Sequence, residues 1–220
     1  MILLQEVHDG HEPIRVTESV KDGARRYYVG PALYTEVDAK GDNRLGYITA
    51  MAREMTGASS LLLLGTAGGA LATLFSRAGG SVTAIDNRST AFEMARKWFH
   101  LPDEVECICA DALQFVREAD RLWDAVAIDV FQGTEIPEAM YAADVGAALA
   151  RIVSPGGIVV WNVADSQTAW PVYVIRRIMR IAGFAPEVVP VLAHDFGNTL
   201  VVCRRVMPSP SPDTRPRIAA

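Results

Sequence analysis

The sequence predicts one main α/β domain built on a mostly parallel β-sheet. Three observations support this fold class: apolar strand segments alternate with helical segments from residue 61 onward, a glycine-rich turn follows the first of these strands, and two strands with no helix between them end the pattern. Alternating strands and helices imply a parallel sheet covered on both faces, because each right-handed crossover returns its helix to the sheet. A chain of 220 residues is long enough for one such domain.

The first 42 residues are predicted to form a small antiparallel β appendage. The segments IRVTES and RRYYVG flank Asp22 and Gly23, which are typical of a hairpin turn, and ALYTEV is a candidate third strand. From Asn43 the apolar residues recur at helical spacing, and Gly57 is the expected end of that helix.

Strands and helices then alternate through a predicted cofactor-binding and catalytic domain at 43–206. The predicted strands lie at 61–64, 81–86, 105–110, 123–129 and 157–163, and the helices that follow them lie at 69–78, 89–100, 112–119, 138–153 and 170–183. The last two strands, APEVVPVLA and NTLVVCRR, are expected to pair as a hairpin at the edge of the sheet. The proline-rich segment 207–220 is predicted to be a flexible tail.

Composition argues against several function classes. With 21 basic and 26 acidic residues the net charge is −5, so the chain has no general attraction for nucleic acid or anionic membranes. No apolar run approaches the roughly 20 residues that span a bilayer, and the start MILLQEVHDG is acidic where a signal peptide is basic. We expect a cytoplasmic protein. Three cysteines without a CxxC pair, and histidines without ligand spacing, predict neither a disulfide framework nor a metal site.

The segment LLLLGTAGGALATLF, residues 61–75, predicts a site for a nucleotide-like ligand. In an open parallel sheet, ligands bind beyond the carboxyl ends of the strands. Gly65 permits a tight turn beside Thr66, while Gly68 and Gly69 are expected to let the backbone approach a ligand at a helix N-terminus. Close helix packing is the alternative role for Gly68.

Two acidic residues follow the next two strands. Asp86 ends the second strand, 21 residues after Gly65, where a carboxylate can accept both hydroxyl groups of a ribose. Capping of the next helix is the alternative role, and Asn87 can serve there instead. Asp111 is placed to face an adenine amino group while it also caps the helix that begins at Ala112. Further candidate cofactor-binding residues at these strand ends are Thr66, Asn87, Ala112 and Asp129.

The glycine turn narrows the choice of cofactor. No Lys-Ser/Thr pair follows it, which excludes a Walker-type ATP site. A nicotinamide cofactor stays an alternative, although Ala67 and Ala70 interrupt the GxGxxG pattern and a terminal antiparallel hairpin is foreign to that fold. The glycine turn, the two acids and the final hairpin together resemble the Rossmann-like class I S-adenosylmethionine-dependent methyltransferase fold, with a seven-stranded sheet.

Longer segments resemble the spermidine/spermine synthase family. DVFQGTEIPEAMY, residues 129–141, has the length and landmarks of that family's D-x-x-D-P-x-G-P-A-x-x-L-Y segment. AIDNRSTAFEMARKWF resembles its EIDPxVxxxARKYF, and CADALQFV resembles its xGDAxxFL. The N-terminal hairpin and the helix that carries Tyr47 resemble the family's small β domain and Y-[HQ]-E helix. The resemblance covers roughly residues 14–204.

This resemblance implies an adenosylsulfonium donor and a small amine acceptor. The family moves an aminopropyl group from decarboxylated S-adenosylmethionine to a polyamine, so the attacking amine must be neutral while carboxylates hold the other ammonium groups. By position, Asp129 matches the first Asp of the loop, Tyr47 the family tyrosine, Asp86 the ribose acid and Asp111 the adenine-side acid. Analogy with the family also suggests a homodimer.

The departures from the family pattern remove carboxylates. Gln132 stands where the family has its proton-accepting second Asp, and an amide cannot take a proton at neutral pH. Ile48 and Thr49 replace the residues after the family tyrosine, and Ala67 replaces the Asp of its glycine turn. Asp129, Gln132 and Tyr47 are the candidate catalytic residues. Three functions remain open: an aminopropyltransferase-like enzyme, a methyltransferase acting on a small molecule, and a nucleotide-binding protein without turnover.

Overall fold

A computed structural model describes residues 1–133, 135–165, 168–191 and 197–206. Within this part of the chain the strands form a four-stranded antiparallel sheet and a seven-stranded, mostly parallel sheet. The predicted flexible tail at 207–220 lies outside the described residues, and so does most of the turn between the last two strands.

The N-terminal sheet contains one strand more than the sequence predicted. Its strands pair in chain order and are β1 (Ile2–Val7), β2 (Ile14–Glu18), β3 (Arg25–Val29) and β4 (Ala32–Val37). The sequence did not identify β1, because the residues ILLQEV do not alternate between apolar and polar and the strand is held by its ladder with β2.

The larger sheet confirms the predicted architecture. Its strand order is β10-β11-β9-β8-β5-β6-β7, and β11 runs antiparallel to both of its neighbours. The elements after the N-terminal sheet are α1 (Gly46–Glu54), β5 (Ser60–Leu64), α2 (Ala70–Arg77), β6 (Ser81–Asp86), α3 (Ser89–Phe99), β7 (Glu106–Cys109), α4 (Ala112–Glu118), β8 (Trp123–Ile128), a 3-10 helix (Glu138–Tyr141), α5 (Ala143–Ile152), β9 (Val153–Val163), α6 (Trp170–Ile181), β10 (Phe184–Val191) and β11 (Asn198–Arg205). The chain passes from β5 through β6 to β7 and then crosses back to β8, so the strand order reverses between β5 and β8.

The predicted continuous helix at 138–153 is wrong. A 3-10 helix at Glu138–Tyr141 is separated from α5 by Ala142, whose backbone is extended. Met140 is buried in the core and the ring of Tyr141 packs edge-on against Trp170 at 5.1 Å, so this short segment has its own anchors.

The four leucines of β5 divide between two apolar clusters. Leu61 and Leu63 contribute to a cluster that includes residues of the N-terminal sheet and α1–α3, whereas Leu62 and Leu64 contribute to a cluster with α4–α6. Successive side chains of a strand point to opposite faces, which explains this division. The N-terminal sheet therefore shares the core on one face of the larger sheet, and the boundary at residue 42 stays a prediction.

The helices of the described part of the chain are short. The longest, α6, has 12 residues, and none of those described combines the length and apolar character needed to cross a membrane.

Close packing of α5 on α6 yields a prediction about stability. A Cβ added at Gly146 would lie 2.8 Å from the carbonyl oxygen of Ile178 and 3.1 Å from the Cβ of Ala182. We expect Gly146→Ala to lower the free energy of unfolding by about 1–3 kcal/mol, because overpacking outweighs the gain in helix propensity. Denaturant unfolding measures the change.

Gly46→Ala is the matched control, since Gly46 is also helical and a Cβ there meets nothing within 4 Å. We expect that substitution to be neutral or to stabilise by up to about 1 kcal/mol. Equal effects of the two substitutions would show that α5 and α6 do not pack as described.

Candidate functional site

A cavity of 770 Å³ lies at the carboxyl ends of the central strands. Most of the residues predicted to bind or act on a ligand line it: Gly65, Thr66, Asp86, Asn87, Asp111, Ala112, Asp129 and Gln132. These residues lie at or soon after the carboxyl ends of β5, β6, β7 and β8, the strands around the reversal of strand order. The cavity thus occupies the place where open α/β sheets bind their ligands.

The first glycine of the turn brings two strand ends together. Gly65 has a φ of +83°, and a Cβ at this position would clash with the backbone carbonyl of Asp129. Its N–H donates to the carbonyl of Ile85 at 2.9 Å. Glycine is therefore required here for close approach between the ends of β5 and β8.

Gly68 and Gly69 have packing roles and do not line the cavity, contrary to the predicted approach of their backbone to a ligand. The N–H of Gly68 donates to Oγ1 of Thr35 at 3.1 Å, and a Cβ at Gly68 would lie 2.8 Å from the Cβ of Thr35. Gly69 has a φ of +75° before α2, and a Cβ there would lie 2.9 Å from Cδ1 of Leu101. Strand β4 occupies the space over this helix end, so the packing alternative for Gly68 agrees with the geometry.

Asp86 fixes the glycine turn. Its Oδ2 accepts the backbone N–H groups of Thr66 at 3.0 Å and Ala67 at 3.3 Å, and its Oδ1 accepts that of Arg88 at 3.0 Å. Burial raises the pKa of Asp86, while these hydrogen bonds act in the opposite direction. A carboxylate has about four acceptor positions, so Asp86 retains capacity for a ligand hydroxyl.

Asp111 lies at the cavity wall and caps α4. Its Oδ1 accepts the N–H of Gln114 at 2.8 Å, as the sequence predicted for the cap. Because only one oxygen makes this bond, the geometry is compatible with the predicted contact between Asp111 and an adenine amino group, which stays a prediction.

Asp129 is half-buried, and its carboxylate accepts hydrogen bonds from two neutral donors. Asn162 Nδ2 donates to Oδ1 at 2.7 Å, the Tyr47 hydroxyl donates to Oδ2 at 3.4 Å, and Asn198 Nδ2 donates to Asn162 Oδ1 at 2.9 Å. Burial raises the pKa of Asp129 to about 6, and the bonds from Asn162 and Tyr47 oppose that rise. A carboxylate with this pKa is mostly ionised at neutral pH and is a better proton acceptor than an exposed Asp.

Tyr47 contacts Asp129 from outside the cavity. Its hydroxyl lies 3.1 Å from the carbonyl oxygen of Tyr34 and 3.4 Å from Asp129, and the residue is outside the cavity lining. Burial, followed by the charge of Asp129, holds the pKa of Tyr47 well above its ordinary value. Tyr47 therefore stays protonated and is a positioning residue in this geometry.

Gln132 lines the cavity in a loop that is attached to the N-terminal sheet. Its N–H donates to the carbonyl of Glu135 at 2.8 Å. The Tyr34 hydroxyl donates to the carbonyl of Gly133 at 2.5 Å, and its ring packs edge-on against Phe131 at 6.4 Å between ring centres. Strand β4 thus holds the loop that follows Asp129.

Several lining residues were missed by the sequence analysis. The N-terminal sheet and its loops supply His11, Glu12, Tyr27 and Tyr34. Their contribution depends on packing between distant segments, for which the sequence carries no local signal. Asn162, by contrast, is a polar residue within the apolar strand GIVVWNV, and that anomaly could have identified it as a partner for Asp129.

The lining carries an excess of negative charge. Four carboxylates face the cavity, those of Glu12, Asp86, Asp111 and Asp129, against the guanidinium of Arg88, which is paired with an acid outside the lining. Within the described ranges, no group of three or more His, Cys, Asp or Glu side chains is arranged to hold a metal ion. Such a lining favours a cationic organic ligand.

Comparisons with known proteins agree with this picture. A methyltransferase domain family matches residues 62–161. A curated polyamine aminopropyltransferase from Chromobacterium violaceum is 29% identical over 129 residues, which are 57% of this chain and 48% of that protein. The chain therefore spans about half the length of this relative.

Solved structures share the fold at low identity. A probable spermidine synthase from Corynebacterium glutamicum has a TM-score of 0.76 and 16% identity, over 91% of this chain and 79% of that one. A spermidine synthase in complex with the transition-state analogue AdoDATO has a TM-score of 0.73 and 12% identity, over 94% and 75% of the two chains. The N-methyltransferase NodS from Bradyrhizobium japonicum has a TM-score of 0.59 and 21% identity, over 72% and 94%.

The structures establish the fold, and the curated relative adds a sequence likeness to aminopropyltransferases. The chain therefore has the class I methyltransferase fold, and its sequence is similar to that of a polyamine aminopropyltransferase, as its motifs predicted.

Proposed function

We propose that the protein transfers an alkyl group from an adenosylsulfonium donor to a small amine, and that the transferred group is aminopropyl. The observation that carries this proposal is the half-buried carboxylate of Asp129, which lines an anionic cavity and whose pKa is raised to about 6. The likeness to a curated polyamine aminopropyltransferase supports it, as do neighbouring folds in complex with AdoDATO or S-adenosyl-L-homocysteine.

In this proposal the residues after β5, β6 and β7 hold the donor. Gly65 and Thr66 form its floor, Asp86 accepts the ribose hydroxyls beside Asn87, and Asp111 and Ala112 border the adenine. The donor supplies a carbon made reactive by its positively charged sulfur. Because the lining is anionic, it stabilises that charge in the bound state.

In this proposal Asp129 takes a proton from the amine that receives the alkyl group. Removal of a proton from the ammonium frees the nitrogen lone pair, the C–N bond forms as the C–S bond breaks, and the bonding pair leaves with sulfur to give a neutral thioether. Asn162 and Tyr47 fix the orientation of the carboxylate through their hydrogen bonds. Gln132 can orient the acceptor but cannot take its proton.

Methyl transfer from S-adenosylmethionine is the second candidate. Ala67 lines the cavity at the position where the resembled family has an acid, so the glycine turn offers no side-chain anion to an aminopropyl ammonium. S-adenosylmethionine carries a carboxylate beside its ammonium group, so its side arm has no net charge and depends less on an anion at this place. A nucleotide-binding protein without turnover is the third candidate and would retain the contacts of Asp86 without using Asp129.

Calorimetry with methylthioadenosine, S-adenosylhomocysteine and decarboxylated S-adenosylmethionine tests the donor assignment. We expect methylthioadenosine and the decarboxylated donor to bind more tightly than S-adenosylhomocysteine. We expect Asp86→Ala to weaken adenosyl binding by about 100-fold, because hydrogen bonds to an ionised group are lost. Asp120→Asn, at an exposed acid outside the cavity, is the charge-matched control.

Each outcome of this titration selects one candidate. Preference for S-adenosylhomocysteine would favour methyl transfer, and unchanged affinity in Asp86→Ala would contradict the adenosyl site. Binding of all ligands without turnover of any amine would favour the third candidate.

The pH dependence of kcat/KM tests Asp129. A base works when it is deprotonated, so kcat/KM should fall by tenfold per pH unit below about pH 6. Tyr47→Phe removes a bond that lowers this pKa, so the acidic limb should move to higher pH. Asp129→Asn should lower kcat by about 100-fold or more while adenosyl binding persists. Tyr173→Phe, at an exposed tyrosine, should leave the profile unchanged.

Turnover of putrescine with the decarboxylated donor is expected to be weak, because Gln132 replaces a proton acceptor. Gln132→Asp should raise kcat/KM for putrescine by about tenfold or more, since it restores a carboxylate to the cavity. Gln132→Asn keeps an amide and serves as the control. Robust putrescine turnover by the unchanged protein would show that Gln132 does not limit the reaction.

A further inference from the structure

Glu12 lines the cavity, is exposed, and has a carboxylate with no partner among the described residues. Within this part of the chain that carboxylate makes no hydrogen bond or ion pair, whereas Asp86, Asp111 and Asp129 each accept at least one hydrogen bond within the protein. Because the Glu12 carboxylate has no partner of its own, an ammonium group that enters the cavity can pair with it without breaking a contact within the protein. Glu12 is therefore the lining acid with the greatest capacity for a cationic ligand group.

The backbone around Glu12 is held in place. Arg88 donates from Nε and Nη2 to the two oxygens of Asp9 at 3.0 and 2.6 Å, and from Nη1 to the carbonyl of Glu12 at 2.9 Å. Thr90 Oγ1 donates to Asp9 at 2.7 Å. The loop between β1 and β2 is thus fixed to the start of α3, and Glu12 is presented from a constrained backbone.

The side chain of Glu12 lies against a glycine. A Cβ built at Gly30 would be 2.9 Å from Oε2 of Glu12, so the turn between β3 and β4 leaves room for the carboxylate. Burial, followed by the charges of Asp129, Glu12 and Asp86, raises the pKa of the Tyr34 hydroxyl to about 12, so all three acids lie within electrostatic reach of this lining residue. In the proposed function, Asp86 binds the donor and Asp129 acts on the reacting amine.

We propose that Glu12 binds a primary ammonium group of a substrate. The proposal rests on the function proposed above, and it assigns to an N-terminal residue the anionic role that Ala67, Thr49 and Gln132 leave unfilled. The ammonium belongs either to the side arm of the donor or to the far end of a diamine acceptor. Both have the same chemistry, a charge-assisted N–H to carboxylate hydrogen bond.

The test compares Glu12→Gln with the unchanged protein. Calorimetry uses methylthioadenosine, which has no ammonium group, and S-adenosyl-3-thiopropylamine, a thioether that carries one. Initial rates with the decarboxylated donor compare a diamine with a monoamine of equal chain length. Glu12→Gln keeps the backbone carbonyl that Arg88 binds, and Glu93→Gln removes the same charge at an exposed position outside the cavity.

A donor-side contact predicts that Glu12→Gln lowers the affinity for S-adenosyl-3-thiopropylamine by about tenfold and leaves the affinity for methylthioadenosine unchanged. An acceptor-side contact predicts that the KM of the diamine rises by about tenfold while that of the monoamine does not. Either result supports the assignment. One ratio compares the affinity for S-adenosyl-3-thiopropylamine with that for methylthioadenosine, and the other compares the KM of the diamine with that of the monoamine. If Glu12→Gln changes both ratios no more than Glu93→Gln does, the assignment of Glu12 is overturned while the adenosyl site stands. If the unchanged protein does not bind methylthioadenosine, the proposed function fails and this inference fails with it.

Discussion

The close approach of β5 and β8 is the constraint on which the site depends. Gly65 lets the turn after β5 lie directly against the backbone of Asp129, and the N–H of Asp129 donates to the carbonyl of Leu64 at 2.8 Å. These contacts join the glycine turn to the candidate base without an intervening side chain. Any residue with a Cβ at this point would separate the two strand ends and with them the two halves of the cavity.

The N-terminal sheet supplies the other half of the enclosure. Thr35 accepts the N–H of Gly68, Tyr34 donates to the carbonyl of Gly133, and Asp9 pairs with Arg88. Each contact joins the small sheet to a different part of the larger one: the start of α2, the loop after β8 and the start of α3. The small sheet is therefore part of the site architecture, and its removal would open the cavity on the side that carries Glu12 and Tyr27.

Local patterns sufficed for the fold and for much of the cavity wall. The alternation of strands and helices predicted the sheet, and the acids after β6, β7 and β8 were identified because strand ends converge at one edge of a parallel sheet. The packing role of Gly68 was only an alternative in the sequence, and that of Gly69 was not predicted, because their partners Thr35 and Leu101 are more than 30 residues away in the chain. The break at Ala142 was missed for a similar reason, since burial of Met140 and the contact between Tyr141 and Trp170 are tertiary.

The basicity of Asp129 is set by its burial and by the neutral groups that donate hydrogen bonds to it. Burial raises its pKa, and its hydrogen bonds come from the neutral groups of Asn162 and Tyr47, which orient the carboxylate without adding a positive charge. A cationic partner would have lowered the pKa and weakened the carboxylate as a base. The arrangement therefore keeps Asp129 ionised yet basic near neutral pH. In the proposed reaction Asp129 therefore serves as the base alone, and a second positive charge is bound by a different residue, Glu12.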